Sequence, residues 1–159
     1  MRPLSFPEFV ICRAQGDFFA YSLEGFPGLS SVVFAKRFMH SKLAKRLDSA
    51  PELWADCNES WKNELLLEGP VPDVGGIELS KPVLYWLGYI YRYWSFATDT
   101  PSSVVISKFP AKWVAGLYEP YHTLDPEMAI KRMMESKGIE LGVIKDEDTY
   151  RILKKLYSL

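Results

Sequence analysis

Hydrophobic residues recur along most of the chain at intervals of three and four positions. Met39, Leu43 and Leu47 form one such row, and Trp61 and Leu65 belong to another. Because residues at this spacing lie on the same face of an α-helix, the rows predict helices that bury one side. The other positions with this spacing are Trp54 and Cys57, then Met128, Ile130, Met133 and Met134, then Ile152, Leu153, Leu156 and Tyr157.

Polar residues and prolines mark where several of these helices begin. Residues 5–8 and residues 49–52 both read Ser-x-x-Glu with an early proline, which is typical of a capping box at a helix start. Glycines mark the ends, because they adopt the left-handed conformation that commonly closes a helix. Further starts are predicted at Ser80, at Ser30 or Ser31, and at Asp125 before Pro126, and stops at Gly25, Gly28, Gly69 and Gly138.

Extended structure is only weakly indicated. Residues 103–106 and 139–144 are the two stretches that could each form a short extended piece. Residues 69–80 are rich in proline and glycine, which predicts a long loop within one domain. We therefore predict a single all-α domain over residues 1–159. It is a bundle of six or seven helices around a buried aromatic helix, with at most a minor short hairpin.

The segment 83–97 is apolar or aromatic on nearly every side. A helix of this kind has no face for solvent, so we expect other helices to surround it. Gly88 within it lowers helix stability by about 1 kcal/mol relative to alanine, which predicts that another helix or an aromatic ring approaches closely there. One face of the segment carries Tyr85, Tyr89, Arg92, Tyr93 and Phe96.

Arg92 on this face admits two interpretations. In the first, it is a core residue that pairs with an internal carboxylate and stacks on tyrosine rings. A buried arginine is costly unless it is paired, and Glu64, Glu119 and Asp125 are the candidate partners.

In the second interpretation, Arg92 binds a phosphate or carboxylate ligand in a cleft. The candidate ligand-binding residues are then Tyr85, Tyr89, Arg92, Tyr93 and His122. His122 lies just before a predicted helix start, where it could hydrogen-bond locally or act as a general base.

Composition limits the classes of function. The chain has 159 residues, with 19 basic and 20 acidic side chains and a formal net charge of −1. This balance argues against a protein that coats nucleic acid or an anionic membrane through its overall field. A membrane span requires about 20 consecutive apolar residues, and no apolar run in the sequence is that long. The N-terminus lacks the apolar core of a signal peptide. We therefore expect a cytoplasmic protein without membrane partners.

Signatures of metal, redox or catalytic chemistry are missing from the sequence. Cys12 and Cys57 belong to no Cys-x-x-Cys or Cys/His cluster, so we expect structural thiols. The chain contains no glycine-rich phosphate loop, His-Glu-x-x-His motif or nucleophile elbow. These observations predict no metal, no cofactor and no catalytic residue, although they do not exclude an enzyme.

Charge is divided between two neighbouring segments. Residues 36–46 carry five cations and no acid, whereas residues 52–68 carry five acids relieved only by Lys62. One interpretation is a pair of helices with complementary solvated faces. The other is a docking surface for an acidic protein or for nucleic acid. The candidate partner-binding residues are Lys36, Arg37, Lys42, Lys45 and Arg46.

Three blocks, residues 38–48, 85–94 and 121–130, resemble blocks that a group of short, uncharacterised bacterial proteins carries in the same order. The Gly-Tyr-x-Tyr-Arg-Tyr-Trp segment that begins at Gly88 is the most specific of them. The resemblance implies an origin in small toxin–antitoxin-like gene sets, some beside ADP-ribosyltransferase-like proteins, and a protein partner encoded nearby. It implies no activity.

The sequence therefore favours a non-catalytic protein-interaction module, antitoxin-like or an accessory component of such a system. Aromatic residues form 14% of the chain, and Trp, Tyr and Arg are the residues that dominate binding hot spots. Two alternatives stay open. One is a small-ligand or anion-binding protein or enzyme with a Tyr/Arg/His pocket, and the other is a nucleic-acid binder that uses the basic helix 36–46.

Overall fold

The structure is a computed structural model, and it describes residues 1–49 and 58–138. All regular secondary structure in these two ranges is helical, which confirms the predicted all-α class. The helices are α1 (Phe6–Gly25), α2 (Ser31–Met39), α3 (Lys42–Ser49), α4 (Asn58–Leu67), α5 (Lys81–Thr98), α6 (Ser102–Lys108), α7 (Ala111–Ala115), α8 (Tyr118–Tyr121) and α9 (Pro126–Ser136).

Short helices account for the difference from the expected six or seven. The suggested extended piece at 103–106 is wrong, because these residues belong to α6. Val105 and Ile106 are buried there, and burial in the core outweighs the β propensity of the run. Several expectations involve residues outside the described ranges: the helix start at 49–52, the hydrophobic positions 54 and 57, the possible extended piece at 139–144 and the row at 152–157.

Three predicted helix caps are confirmed. The Ser5 hydroxyl accepts a hydrogen bond from the Glu8 amide, and the Glu8 carboxylate accepts one from the Ser5 amide, which completes a capping box at the start of α1. Ser30 and Asp125 cap α2 and α9 with their side chains. Ser80 precedes α5 as expected, but its side chain makes no cap hydrogen bond.

The proline- and glycine-rich stretch is a loop, as predicted, and it is tied to the start of α2. The Ser30 amide donates to the Val74 carbonyl at 2.8 Å, and the Ser31 amide donates to the Ile77 carbonyl at 3.0 Å. The Ser31 hydroxyl in turn accepts from the Leu79 amide at 2.9 Å. These bonds satisfy backbone groups that would otherwise rely on water.

The aromatic helix α5 lies at the centre of the fold, as the sequence predicts. It contacts α1 extensively and also contacts α6, α7 and α9. Leu84, Leu87, Ile90 and Tyr91 on it are fully buried. Within the described ranges, every helix is too short or too polar to cross a lipid bilayer.

Two glycines allow α1 and α5 to touch backbone to backbone. A Cβ atom added at Gly88 would lie 2.6 Å from the Gln15 carbonyl oxygen and 2.7 Å from Cγ of Phe19. A Cβ atom at Gly16 would lie 2.9 Å from the Tyr85 carbonyl oxygen. These separations are shorter than van der Waals contact, so the close approach predicted at Gly88 is confirmed.

A cluster of aromatic rings joins α1, α2 and α4. The Phe18 ring lies 5.6 Å from Phe34, 5.5 Å from Phe38 and 5.5 Å from Trp61, measured between ring centroids. All four rings are buried, and tilted or edge-on pairs at this distance are favourable geometries. The cluster fixes α2 and α4 against α1. Cys12 of α1 is also fully buried, and Cys57 lies outside the described residues.

Arg92 is a core residue in an internal ion pair, as the first interpretation proposes. Its guanidinium is fully buried and donates to the Asp48 carboxylate at 2.5 Å, to Oε1 of Gln15 at 2.8 Å and to the Ser102 hydroxyl at 2.8 Å. It lies over the ring of Phe96, where a tyrosine ring was expected, with 5.2 Å between Cζ and the ring centroid.

The predicted partners of Arg92 were wrong. The carboxylate comes from Asp48 and not from Glu64, Glu119 or Asp125. The Asp48 carboxylate also accepts hydrogen bonds from the amide and hydroxyl of Ser102 at 2.9 and 2.5 Å. The pair thus links α3 to α5 and α6, and Gln15 adds α1.

Glu8 anchors the N-terminal segment. The Arg2 guanidinium donates to both carboxylate oxygens of Glu8, at 3.0 and 2.5 Å, and also pairs with Asp99. The hydrogen bonds from Arg2, with help from Ser5, lower the pKa of Glu8 from its ordinary 4.5 to about 2. The Arg2 amide donates to the Ala97 carbonyl, so this contact holds the N-terminus at the end of α5.

Gly88→Ala should destabilise the fold. Overpacking at the contact with α1 costs about 1–3 kcal/mol, which offsets or exceeds the about 1 kcal/mol that alanine gains as a helix former. Urea unfolding measures the difference. Gly116→Ala is the matched control, because a Cβ there would lie 3.4 Å from its nearest neighbours and Gly116 is exposed. A Gly88→Ala protein more stable than the wild type would contradict the close contact.

Asp48→Asn should lower the free energy of unfolding by about 3–5 kcal/mol, because it leaves the buried Arg92 charge without its counterion. The double variant Asp48→Asn/Arg92→Met should recover part of the loss, since no buried charge then remains. Asp99→Asn is the control, because Asp99 is exposed and its pair with Arg2 is worth about 0–1 kcal/mol. Equal losses of unfolding free energy in Asp48→Asn and Asp99→Asn would contradict the pairing of Asp48 with Arg92.

Glu8 predicts a pH dependence of stability. Because the pKa of Glu8 is lowered by folding, its contribution is present above about 4.5 and is lost as the pH falls toward about 2. Glu8→Gln should therefore make the free energy of unfolding depend less steeply on pH over this window, as measured by urea unfolding at a series of pH values. Glu24→Gln, which removes an exposed partner of Lys81, should keep the wild-type slope. Identical slopes for all three proteins would refute the assignment.

Candidate functional site

The five basic residues predicted to bind a partner divide into two groups. The Arg37 guanidinium donates to the carbonyls of Leu65 and Gly69, at 3.0 and 3.4 Å, and Arg46 forms an ion pair with Glu64. These two arginines therefore face α4 and the loop after it. Lys36, Lys42 and Lys45 are exposed.

Part of the charge division is explained by complementary helices. The Glu68 carboxylate accepts hydrogen bonds from the amides of Lys42 and Leu43, at 2.6 and 3.1 Å, and so caps the start of α3. Together with the Arg46–Glu64 pair, this contact joins α3 to the acidic segment. It does not involve the three exposed lysine side chains, which belong to another surface.

That surface is built from two parts of the chain that are far apart in sequence. Residues 25–47 and residues 100–118 contain seven Lys and Arg residues and no Asp or Glu. The structure brings them together, because α2 contacts α6 and α7, and α3 contacts α6. Sequence reasoning missed that residues 100–118 take part in this surface. The available signal was the absence of acids from residues 100–118.

Two adjoining crevices run between α2–α3 and α6. They have volumes of about 390 and 210 Å³ and share His40. We call them together the basic groove. The first is lined by Val32, Lys36, His40, Ile106, Ser107, Pro110 and Ala111, and the second by Met39, His40, Ser41, Lys42, Lys45, Asp48, Pro101 and Ser103.

The charge in the basic groove is positive. Lys36, Lys42 and Lys45 line it, and Asp48 is the one acid among the lining residues that the structure describes. The Asp48 carboxylate is already bound to Arg92 and Ser102, so its charge is balanced within the protein. An anionic group entering the groove therefore meets lysines without a competing free carboxylate on the lining.

A separate cleft of about 450 Å³ lies where α5 meets α8 and the start of α9. We call it the aromatic cleft. It brings together three of the predicted ligand-binding residues, and it does not include Arg92 or Tyr93. Its lining residues are Pro82, Tyr85, Trp86, Tyr89, Ile90, Tyr118, His122, Leu124 and Pro126.

The rings along α5 form a ladder beside this cleft. Tyr85 and Tyr89 have ring centroids 6.2 Å apart, and Tyr89 and Tyr93 have centroids 6.4 Å apart, in both cases with nearly parallel planes. Helical spacing of four residues produces this stacking. Burial raises the pKa of Tyr89 to about 12, so its hydroxyl is protonated and uncharged at neutral pH.

Another part of the cleft lining is a corner of two rings, one from α5 and one from α8. Trp86 and Tyr118 lie 5.8 Å apart with their planes at 76°. His122 stacks on Tyr118 at 4.2 Å, and its Nδ1 lies 2.7 Å from the Tyr118 carbonyl oxygen. This is the local hydrogen bond that the sequence allows for His122, and it orients the ring along the wall.

Two observations bear on thiol and metal chemistry in the described part of the chain. Burial raises the pKa of the Cys12 thiol to about 12, which keeps it in the unreactive neutral form. Across residues 1–49 and 58–138, no three His, Cys, Asp or Glu side chains are grouped so as to hold a metal ion.

Comparisons with protein-family models, with curated proteins and with solved structures find no match to this chain.

Proposed function

We propose that this protein is a non-catalytic interaction module that binds an acidic segment of a partner protein in the basic groove. The observation that supports it most is the convergence of two acid-free stretches, residues 25–47 and 100–118, on one surface. Complementary charge steers partners together and rejects those of like charge. The neutral net charge of the chain hides this local asymmetry.

The lining of the groove favours an acidic peptide over nucleic acid. Val32 and Pro110 contribute apolar surface beside the lysines. An amphipathic acidic segment would place apolar side chains on this surface and carboxylates near Lys42 and Lys45. Proteins that bind single-stranded nucleic acid typically stack bases on aromatic side chains. Within the part of the chain that the structure describes, no Phe, Tyr or Trp lines the groove.

The source of the partner follows from the resemblance alone. The blocks at 38–48, 85–94 and 121–130 resemble those of proteins from toxin–antitoxin-like gene sets. We therefore propose that the partner is encoded nearby and that this chain acts as an antitoxin-like or accessory component in the cytoplasm. The basic groove is the surface that such a partner would occupy.

The double variant Lys42→Glu/Lys45→Glu should weaken binding of a fluorescein-labelled peptide of alternating Glu and Leu by about tenfold or more, measured by fluorescence anisotropy. The matched control is Lys131→Glu/Arg132→Glu, which makes the same change in net charge on exposed residues of α9 outside the groove. Wild-type binding should weaken as salt is added, because the lysines are exposed.

Three results would contradict this proposal. Equal losses in the two double variants would show a general field effect instead of a site. Equal binding of a peptide of alternating Gln and Leu would remove the role of charge. Tighter binding of single-stranded DNA than of the acidic peptide would favour the nucleic-acid alternative. Co-purification with the product of the neighbouring gene, lost in Lys42→Glu/Lys45→Glu only, would extend the result to the natural partner.

A further inference from the structure

The aromatic cleft has the geometry of a cage for a positively charged group. Trp86 and Tyr118 meet at 76°, so a group in the corner between them can contact both rings. Tyr85 and Tyr89 add two nearly parallel rings to the lining. The faces of aromatic rings carry negative electrostatic potential, and rings arranged around a pocket are a known means of holding alkylated ammonium groups.

The charges around the cleft favour a cation. Among the described residues that line it there is no Lys or Arg, and residues 82–91 carry no charge. The wall formed by residues 113–130 contains the acids Glu119, Asp125 and Glu127 and no Lys or Arg.

The neighbouring element α1 brings one charge of each sign to the tyrosine side of the cleft. Asp17 raises the pKa of Tyr85, whereas Arg13 opposes the rise, after the larger effect of burial. Lys81, at the start of α5, is paired with Glu24 at 2.7 Å. These four groups balance. Glu127 is paired with Lys131 at 3.1 Å, so Glu119 and Asp125 are the acids of residues 113–130 that favour a cation.

Arg92 cannot make the cleft an anion site. Its guanidinium is fully buried and held by Asp48, Gln15 and Ser102, and it does not reach the cleft lining. The protonated tyrosine hydroxyls offer no positive charge. Arg92, which the sequence suggested as a phosphate-binding residue, is therefore fully engaged in hydrogen bonds within the core.

We infer that the aromatic cleft binds a small organic cation with an alkylated ammonium group, seated between Trp86 and Tyr118. A volume of about 450 Å³ is within the range of small-molecule sites. The site is separate from the basic groove, so this inference does not depend on the proposed protein partner.

Choline is the probe that tests this inference. Titrated into the full chain and followed by the indole N–H signals in proton–nitrogen NMR, it should shift the Trp86 signal in a saturable way. The comparison ligand is its uncharged carbon isostere, in which a tert-butyl group replaces the trimethylammonium group. We expect choline to bind about fivefold or more tightly than the isostere, because only the cation is attracted to the ring faces. Equal affinities would overturn the inference.

Variants locate the site. Isothermal titration calorimetry measures choline binding in these variants, because substitution of Trp86 removes its indole signal. Trp86→Leu should lower the affinity for choline by about fivefold or more, and Trp86→Phe should restore most of it, because a ring face is again present. Tyr118→Leu provides an independent variant of the same corner if Trp86→Leu fails to fold. Trp113→Leu is the matched control, since Trp113 is a half-buried tryptophan that does not line the cleft.

The remaining outcomes also decide the question. Loss of choline binding in Trp113→Leu and Trp86→Leu alike would place binding elsewhere and overturn the inference. Binding of a trimethyl-lysine peptide with no binding of choline would assign the cleft to a protein partner instead of a small cation. Binding of acetate or phosphate at the Trp86 signal, in preference to choline, would contradict the sign of the charge.

Discussion

One buried guanidinium connects the main parts of this fold. Arg92 lies at the centre of α5, and its hydrogen bonds reach α1 through Gln15, α3 through Asp48 and α6 through Ser102. A charge in the core must be satisfied at every donor, so the positions of these helices are mutually constrained. Since α3 and α6 form opposite sides of the basic groove, the shape of that surface depends on an interaction beneath it.

The same interaction sets the electrostatics of both candidate surfaces. Asp48 lines the basic groove, but its charge is balanced by Arg92, and the exposed lysines there dominate. The hydrogen bonds of Arg92 hold its guanidinium away from the lining of the aromatic cleft, where the described residues include no Lys or Arg. A single ion pair therefore increases the positive character of one surface and removes it from the other.

Features that depend on neighbouring residues could be predicted from the sequence, and features that depend on distant pairing could not. The caps at Ser5, Ser30 and Asp125 and the close contact at Gly88 follow from local chemistry. That Arg92 requires a carboxylate could also be predicted from its own segment. Which carboxylate it pairs with could not, because Asp48 lies 44 residues away and nothing in the sequence distinguishes it from other acids. The meeting of residues 25–47 with 100–118 is likewise set by tertiary packing.

The close approach of α1 and α5 at Gly16 and Gly88 bears on the order in which the molecule assembles. Gln15 bonds to the Gly88 carbonyl across 73 residues, so docking α1 on α5 closes a long loop, whereas α5, α6 and α7 meet through short connections. Loop closure is entropically unfavourable, so short-range contacts tend to form first. The aromatic cleft, drawn from residues 82–126, belongs to this early-forming part of the chain. The basic groove also needs α2 and α3, and we expect it to be completed later, when the first half of the chain docks onto the second.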